Sequence, residues 1–221
     1  MTDILLATTR EPVLLAKQAA TLDQVSGGRF VLGIGAGTRP DDFAVTGFNV
    51  HDRGKRLDAA LDLMHRAWRG EPVRGSSEPV TPRPVNGHFV PIILGGHTER
   101  AIARIAKYGL GYTLGGGTPE QLRGMMERVT TIWNGAGRPG KPEFRALSYF
   151  ALGDEVAAEA EGNLKDYYGD FGPRVWAGTI KTAEEAWQRV STFEQAGADE
   201  LIMFMAAPGL EQAERLAKAV F

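Results

Sequence analysis

The stretch Ile92-Ile93-Leu94-Gly95-Gly96-His97-Thr98-Glu99-Arg100-Ala101 decides the fold. An apolar strand signal stops at two glycines, and a helix signal starts at once, with Thr98 placed to cap it. Glycine lets a backbone approach another group closely, and the unpaired N–H groups of a helix start attract anions. The stretch therefore reads as a strand–turn–helix unit and as a candidate phosphate cradle. A tight βα turn without a ligand has the same local sequence.

The same pattern repeats on both sides. Gly109 to Leu114 holds a short strand, and Gly115-Gly116-Gly117 follows it. A helix then opens with Thr118 as N-cap, Pro119 at the first position and Gln121 completing a capping box. Its apolar face is Leu122, Met125, Met126, Val129 and Trp133. Toward the N-terminus, Ile4 to Thr8 is a strand broken by Arg10-Glu11-Pro12. Leu15, Ala19, Leu22 and Val25 then recur at helical spacing up to Ser26-Gly27-Gly28. Arg29 to Ile34 is the next strand and leads into Gly35-Ala36-Gly37. A helix over Asp52 to Arg69 shows the stripe Leu57, Leu61, Met64 and Trp68. Glu71 to Val90 carries Pro72, Pro79, Pro82 and Pro84 and reads as a long loop, with Asn86-Gly87 the turn of a short hairpin.

Toward the C-terminus come a strand over Phe144 to Leu152 and a helix over Glu155 to Tyr168, then a loop region, or irregular helix, over Gly169 to Gly178. A helix over Thr182 to Gln195, with Thr182 and Glu185 as a capping box, precedes a strand over Asp199 to Met205 and a last helix over Leu210 to Val220. Six strand–helix units in series make a parallel α/β architecture, either a doubly wound sheet or a (β/α) barrel. The barrel normally has eight units in roughly 250 residues. No composition shift marks a second domain, so one domain over residues 1–221 is expected.

Composition narrows the function classes. The 221 residues are 43% hydrophobic and 24% charged, enough for a sizeable core. A net charge of −2 gives no reason to expect nucleic acid or an acidic membrane surface as partner. With no cysteine, disulfides, thiolate catalysis and cysteine metal sites are excluded. There is no apolar run of about 18 residues and no positive segment leading an apolar one at Met1 to Arg10, so the expected location is cytoplasmic.

Motifs narrow them further. Gly33-Ile34-Gly35-Ala36-Gly37 starts a dinucleotide fingerprint but fails at its third glycine, where Thr38 stands. The glycines then serve a turn or a close approach of backbone to a flat ligand. There is no P-loop and no nucleophile elbow. His51, His65, His88 and His97 have no metal-ligand spacing, and no metal is expected. His65 lies within a helix and reads as a surface or boundary residue, whereas His97 follows the glycine pair directly. In a parallel α/β protein the turns at Gly95-Gly96 and Gly115-Gly116-Gly117 both fall on the C-terminal face of the sheet, where two neighbouring helix starts can share one phosphate.

Several segments together resemble the luciferase-like monooxygenase family. They are Pro12-Val-Leu-Leu-Ala-Lys-Gln-Ala-Ala-Thr-Leu-Asp23, Ser26-Gly-Gly-Arg-Phe-Val-Leu-Gly-Ile-Gly-Ala-Gly37, Arg53-Gly-Lys-Arg-Leu-Asp58 with Trp68-Arg-Gly-Glu-Pro72, and Pro91-Ile-Ile-Leu-Gly-Gly-His97. The resemblance implies a TIM barrel that binds FMN or coenzyme F420 and acts as an oxidoreductase on a small organic substrate. It implies phosphate contacts at Gly95, Gly96, His97 and Thr98 and at Gly116, Gly117 and Thr118. It also implies that the ring lies over Ala7, Thr8 and Thr9, the nearest match to a strand that often carries a non-proline cis peptide. The family's Gly-Asp-Gly-Trp reads Gly109-Leu110-Gly111-Tyr112 here. The first two βα units of the family have no counterpart, so an incomplete barrel of about six units is expected, from an upstream gene start or a shortened member. Those units supply acid–base residues in the family, so no catalytic residue is mapped. A cofactor-binding protein without turnover, or a partner subunit, is the alternative reading. The open strand edges lead to an expected homo-oligomer, a dimer.

Overall fold

A computed structural model describes residues 1–221. Six parallel strands alternate with helices, the arrangement of an incomplete TIM-barrel-type α/β fold. The chain divides into two units, one of Met1–Thr113 with Arg128–Pro142 and one of Leu114–Glu127 with Glu143–Phe221.

In the first unit β1 (Leu5–Leu6), β2 (Leu32–Gly35), β3 (Ile92–Gly95) and β4 (Gly111–Leu114) lie side by side in chain order. The registers set Leu6 against Gly35, Ile34 against Leu94, and Gly95 against Thr113. The helices are α1 (Pro12–Ser26), α2 (Pro40–Ala44), α3 (Arg53–Trp68), α4 (Glu99–Tyr108) and the end of α5 (Pro119–Gly135). The expected stripe of α3, Leu57, Leu61, Met64 and Trp68, is fully buried, as are Ile102 and Ile105 of α4. Each such side chain contributes about 1.5–3 kcal/mol of hydrophobic stabilisation.

The expected stripe of α1 is rotated. Leu15 and Ala19 are buried with Ala16, Ala20 and Asp23, but Leu22 and Val25 face solvent. The rotation follows from polar anchors. The indole N–H of Trp68 donates to the Ala16 carbonyl at 2.9 Å, and the Asp23 carboxylate accepts from Val85 N–H at 2.8 Å. Asp23 thereby holds the long loop against the helix. No hairpin forms there: Asn86 folds the turn by accepting from the N–H groups of His88 and Phe89 with its own side chain.

The first strand is shorter than expected. After Leu6 the chain turns into a 3₁₀ helix, Ala7–Thr9, and Ala7 and Thr8 are buried. The non-proline cis peptide lies at Asp3–Ile4, upstream of the Ala7–Thr9 segment to which the family pattern pointed. The Thr2 hydroxyl accepts from Gly33 N–H and donates to the Gly33 carbonyl, at 3.0 and 2.9 Å. A Cβ on Gly33 would collide with the Thr2 carbonyl, and one on Gly35 with the Ile4 side chain. The close approach at the β2 glycines is therefore made by the chain's own residues 2–4.

In the second unit β5 (Glu143–Phe150) pairs with β6 (Glu200–Met205), from Arg145 with Glu200 to Phe150 with Met205. The helices are α6 (Ala157–Tyr168), α7 (Gly172–Ala177), α8 (Ala183–Ala196) and α9 (Leu210–Val220), with the start of α5. Phe150, Leu152, Ile180 and Ala186 form one buried cluster, and Ala151, Ala160, Leu164, Ala206 and Ala207 another. The fully buried Gln212 amide accepts from Leu152 N–H at 2.7 Å and donates to the Leu152 carbonyl at 3.0 Å, as a neighbouring strand would. Residues Leu201 to Phe204 of β6 are only half-buried.

Candidate functional site

The end of β3 is built as the sequence leads one to expect. Gly96 has φ 125°, and a Cβ there would stand 2.7 Å from the Ala101 methyl group, so only glycine makes this turn. Gly95 is different, since a Cβ would meet nothing closer than 3.6 Å. The Thr98 hydroxyl accepts from Ala101 N–H at 3.2 Å and caps α4. The remaining N–H groups of the first turn stay available to a ligand, as at any helix start. His97 and Thr98 are exposed.

Three anchors fix this turn. Thr98 caps the helix, the Arg128 guanidinium donates to the His97 carbonyl at 3.1 Å, and Tyr112 Oη lies 3.3 Å from His97 Nδ1. Arg128 also pairs with Glu99 Oε1 at 2.5 Å, which offsets the one acidic side chain in the first turn of α4. Tyr112 is fully buried, and burial pushes its hydroxyl well above the ordinary range, so it keeps its proton. The Tyr112–His97 relation was not legible in the sequence. The departure from the family's tryptophan at position 112 was its one signal.

Ala7 and Thr8 belong to the same unit but present almost no surface, each being 1% exposed. The Thr8 hydroxyl donates to the Ala36 carbonyl at 3.0 Å, and the Thr8 carbonyl accepts from Arg56 Nε at 2.8 Å. Arg56 in turn stacks on Phe48, 3.6 Å from the ring centre. The Arg53-Gly-Lys-Arg-Leu-Asp58 segment is thus a clamp on the turn after β1. Its Asp58 receives a bidentate contact from Arg104 at 2.5 and 3.0 Å, which holds the carboxyl below its usual range.

Gly116, Gly117 and Thr118 lie in the second unit and are exposed. The capping box forms in both directions: Thr118 N–H donates to Gln121 Oε1 at 2.9 Å, and Gln121 N–H to Thr118 Oγ1 at 3.3 Å. Gly117 has φ 141°, and a Cβ would meet Gln121 Oε1 at 2.6 Å, whereas around Gly116 the space is open.

His65 is a half-buried boundary residue; its ring packs on Trp68 and Tyr108, and its Nε2 has no hydrogen-bond partner. A depression of about 460 Å³ runs along β1 between Ile4, Leu6, Arg10, Asp42 and Val45. No group of acidic and histidine side chains is arranged to hold a metal, and no helix is long and apolar enough to cross a membrane.

The chain and its fold match a known family. The luciferase-like monooxygenase model matches residues 1–217, and the chain belongs to that family. An uncharacterized protein of Mycobacterium tuberculosis is 32% identical over 146 residues, which is 63% of this chain and 50% of the relative. Another from the same organism is 31% identical over 170 residues, 72% of this chain and 59% of the relative. The chain thus spans little more than half the length of these relatives. The 4-hydroxyprotoasukamycin monooxygenase of Streptomyces nodosus subsp. asukaensis is 40% identical over 70 residues, 32% of this chain and 17% of that enzyme. Among solved structures, an F420-dependent secondary alcohol dehydrogenase superposes with a TM-score of 0.79 at 20% identity, covering 100% of this chain and 77% of that one. Monooxygenase RslO1 from Streptomyces bottropensis gives 0.74 at 21%, covering 97% and 74%. At these identities the structural matches establish the fold.

Proposed function

We propose that this protein is an oxidoreductase that uses reduced FMN or coenzyme F420 on a small organic substrate. One observation carries the proposal: in a chain of this family, the turn Gly95-Gly96-His97-Thr98 opens a capped helix with exposed N–H groups and a glycine whose φ is 125°. A phosphate suits that chemistry, because backbone donors and the helix dipole both favour an anion. Gly116, Gly117 and Thr118, at the start of α5, offer the same chemistry after the next strand. When bound, the cofactor supplies the hydride or the electrons. The chain's own part is to bind the phosphate at the β3 turn and to orient the ring. Ala7 and Thr8 serve by holding the turn after β1 in place through Ala36 and Arg56.

Titration with FMN and with F420 in separate experiments, followed by assay of NAD(P)H or F420H2 oxidation, tests the proposal. One cofactor is expected to bind with micromolar affinity or better and to turn over. Binding of neither rejects it. The second reading is a cofactor-binding protein without turnover or a partner subunit, in which the glycine turns hold a cofactor while no acid–base residue is mapped. Tight binding with no turnover supports that second reading.

We also propose self-association as a dimer. The half-buried apolar run Leu201 to Phe204 of β6 and the short edge strand β1 are surfaces that another chain can pair with. Light scattering across a micromolar concentration series is expected to show a dimer, and a monomer throughout would count against it.

A further inference from the structure

We propose that Tyr112 is a positioning residue that fixes His97 in a single tautomer, with Nδ1 bare and the proton on Nε2, so that the ring presents one neutral N–H donor to an anion at the β3 turn. The inference rests on the phosphate reading of that turn. It concerns which atom of the histidine acts and what determines it.

Hydrogen-bond satisfaction selects the tautomer. Tyr112 is 0% exposed, and its hydroxyl has one partner, His97 Nδ1, at 3.3 Å. A buried hydroxyl that keeps its proton must donate it, and the only acceptor offered is that nitrogen. A neutral imidazole that accepts at Nδ1 carries its hydrogen on Nε2. The ring belongs to an exposed residue, and Nε2 has no protein partner. The backbone on which the ring sits is held independently, by Arg128 at the His97 carbonyl and by Thr98 at the helix start. With backbone and ring both fixed, Nε2–H is a donor whose direction is set before a ligand arrives. Such preorganisation removes part of the cost of binding. A phenylalanine at position 112 would keep the apolar contact and lose the acceptor's partner. It would leave the histidine free to populate both tautomers.

The direct test is a two-bond proton–nitrogen correlation spectrum of the histidine rings in alkaline buffer, with His97 assigned through His97→Gln. The wild-type protein is expected to show Nδ1 as a bare acceptor and Nε2 protonated. Tyr112→Phe is expected to show both tautomers in exchange. Protonated Nδ1 in the wild type, or an unchanged spectrum in the variant, overturns the proposal. The wild-type spectrum alone decides if the variant fails to fold. Titration with inorganic phosphate is the second readout. Tyr112→Phe is expected to weaken phosphate about three- to tenfold, the effect of one lost hydrogen bond, and His97→Gln at least as much. Equal binding by wild type and Tyr112→Phe overturns the role of the pair. Failure of the wild type to bind phosphate or FMN overturns instead the phosphate reading of the turn, while the spectrum still reports on the pair.

Discussion

The Thr2 carbonyl oxygen occupies the place where a side chain on Gly33 would begin. The Thr2 hydroxyl also brackets the Gly33 peptide as both donor and acceptor. Gly33→Ala is therefore expected to push residues 2–4 off β2 and to destabilise the protein by about 1–3 kcal/mol. At this chain length that corresponds to a fall in Tm of roughly 2–12 °C. Gly115→Ala, where a Cβ meets nothing within 4 Å, is the control and is expected to stay within about 0.5 kcal/mol of wild type. Equal melting of the two variants would refute the steric account.

Gly95 and Gly96 are adjacent but not equivalent. Gly96→Ala combines a backbone that disfavours side chains with a 2.7 Å clash on Ala101, so a loss of about 1–3 kcal/mol in stability is expected. Gly95→Ala meets only ordinary contacts and is expected to fold as wild type. If phosphate sits against this backbone, Gly95→Ala still weakens FMN or F420 binding about tenfold or more. Calorimetric titration of both variants, paired with thermal melts, separates the two effects.

His65 makes stability depend on pH in a defined window. Burial is the main cause that pushes its pKa down to about 4 from 6.5, with Arg69 adding to the effect. The folded state therefore takes up this proton later than the unfolded chain. The stability is fully present above pH 6.5 and is lost as pH falls toward 4. After discounting for the exposed part of the ring, the loss is roughly 1–2 kcal/mol. His65→Phe is expected to flatten this part of the profile in urea unfolding at a series of pH values. A profile parallel to wild type between pH 6.5 and 4 would show that His65 does not titrate as described.

Gln212 makes two hydrogen bonds to the Leu152 backbone. Gln212→Leu keeps volume and burial but leaves the Leu152 N–H without a partner, while Arg215 still donates to the Leu152 carbonyl. An orphaned buried N–H costs about 1–3 kcal/mol, so a lower urea midpoint with an unchanged m-value is expected.

Local signals carried most of the secondary structure. The caps at Thr98, Thr118 and Thr182, and the buried stripes of α3 and α4, follow from residues three or four positions apart, and a sequence displays such spacing directly. What was not legible depended on distant partners. Gly33 and Gly35 carry no mark that residues 2–4 will press on them, nor does α1 show that Trp68 and Val85 will select its polar face. The candidate site divides in the same way. Gly96 and Thr98 were legible as a turn and a cap. The role of Tyr112 required knowing that β4 sets its hydroxyl beside a histidine fifteen positions earlier. The burial of Ala7 and Thr8 was hidden for a similar reason, because Arg56, 48 positions on, closes over that turn.

The Glu99–Arg128 pair gives the start of α4 a resident counter-ion. An incoming anion does not meet a bare guanidinium; it has to compete with a carboxylate already held at 2.5 Å. Glu99 stays tethered when that contact breaks, so on the proposed phosphate reading a bound anion adds its whole charge beside a carboxylate, and added salt acts on this repulsion as well as on the attraction.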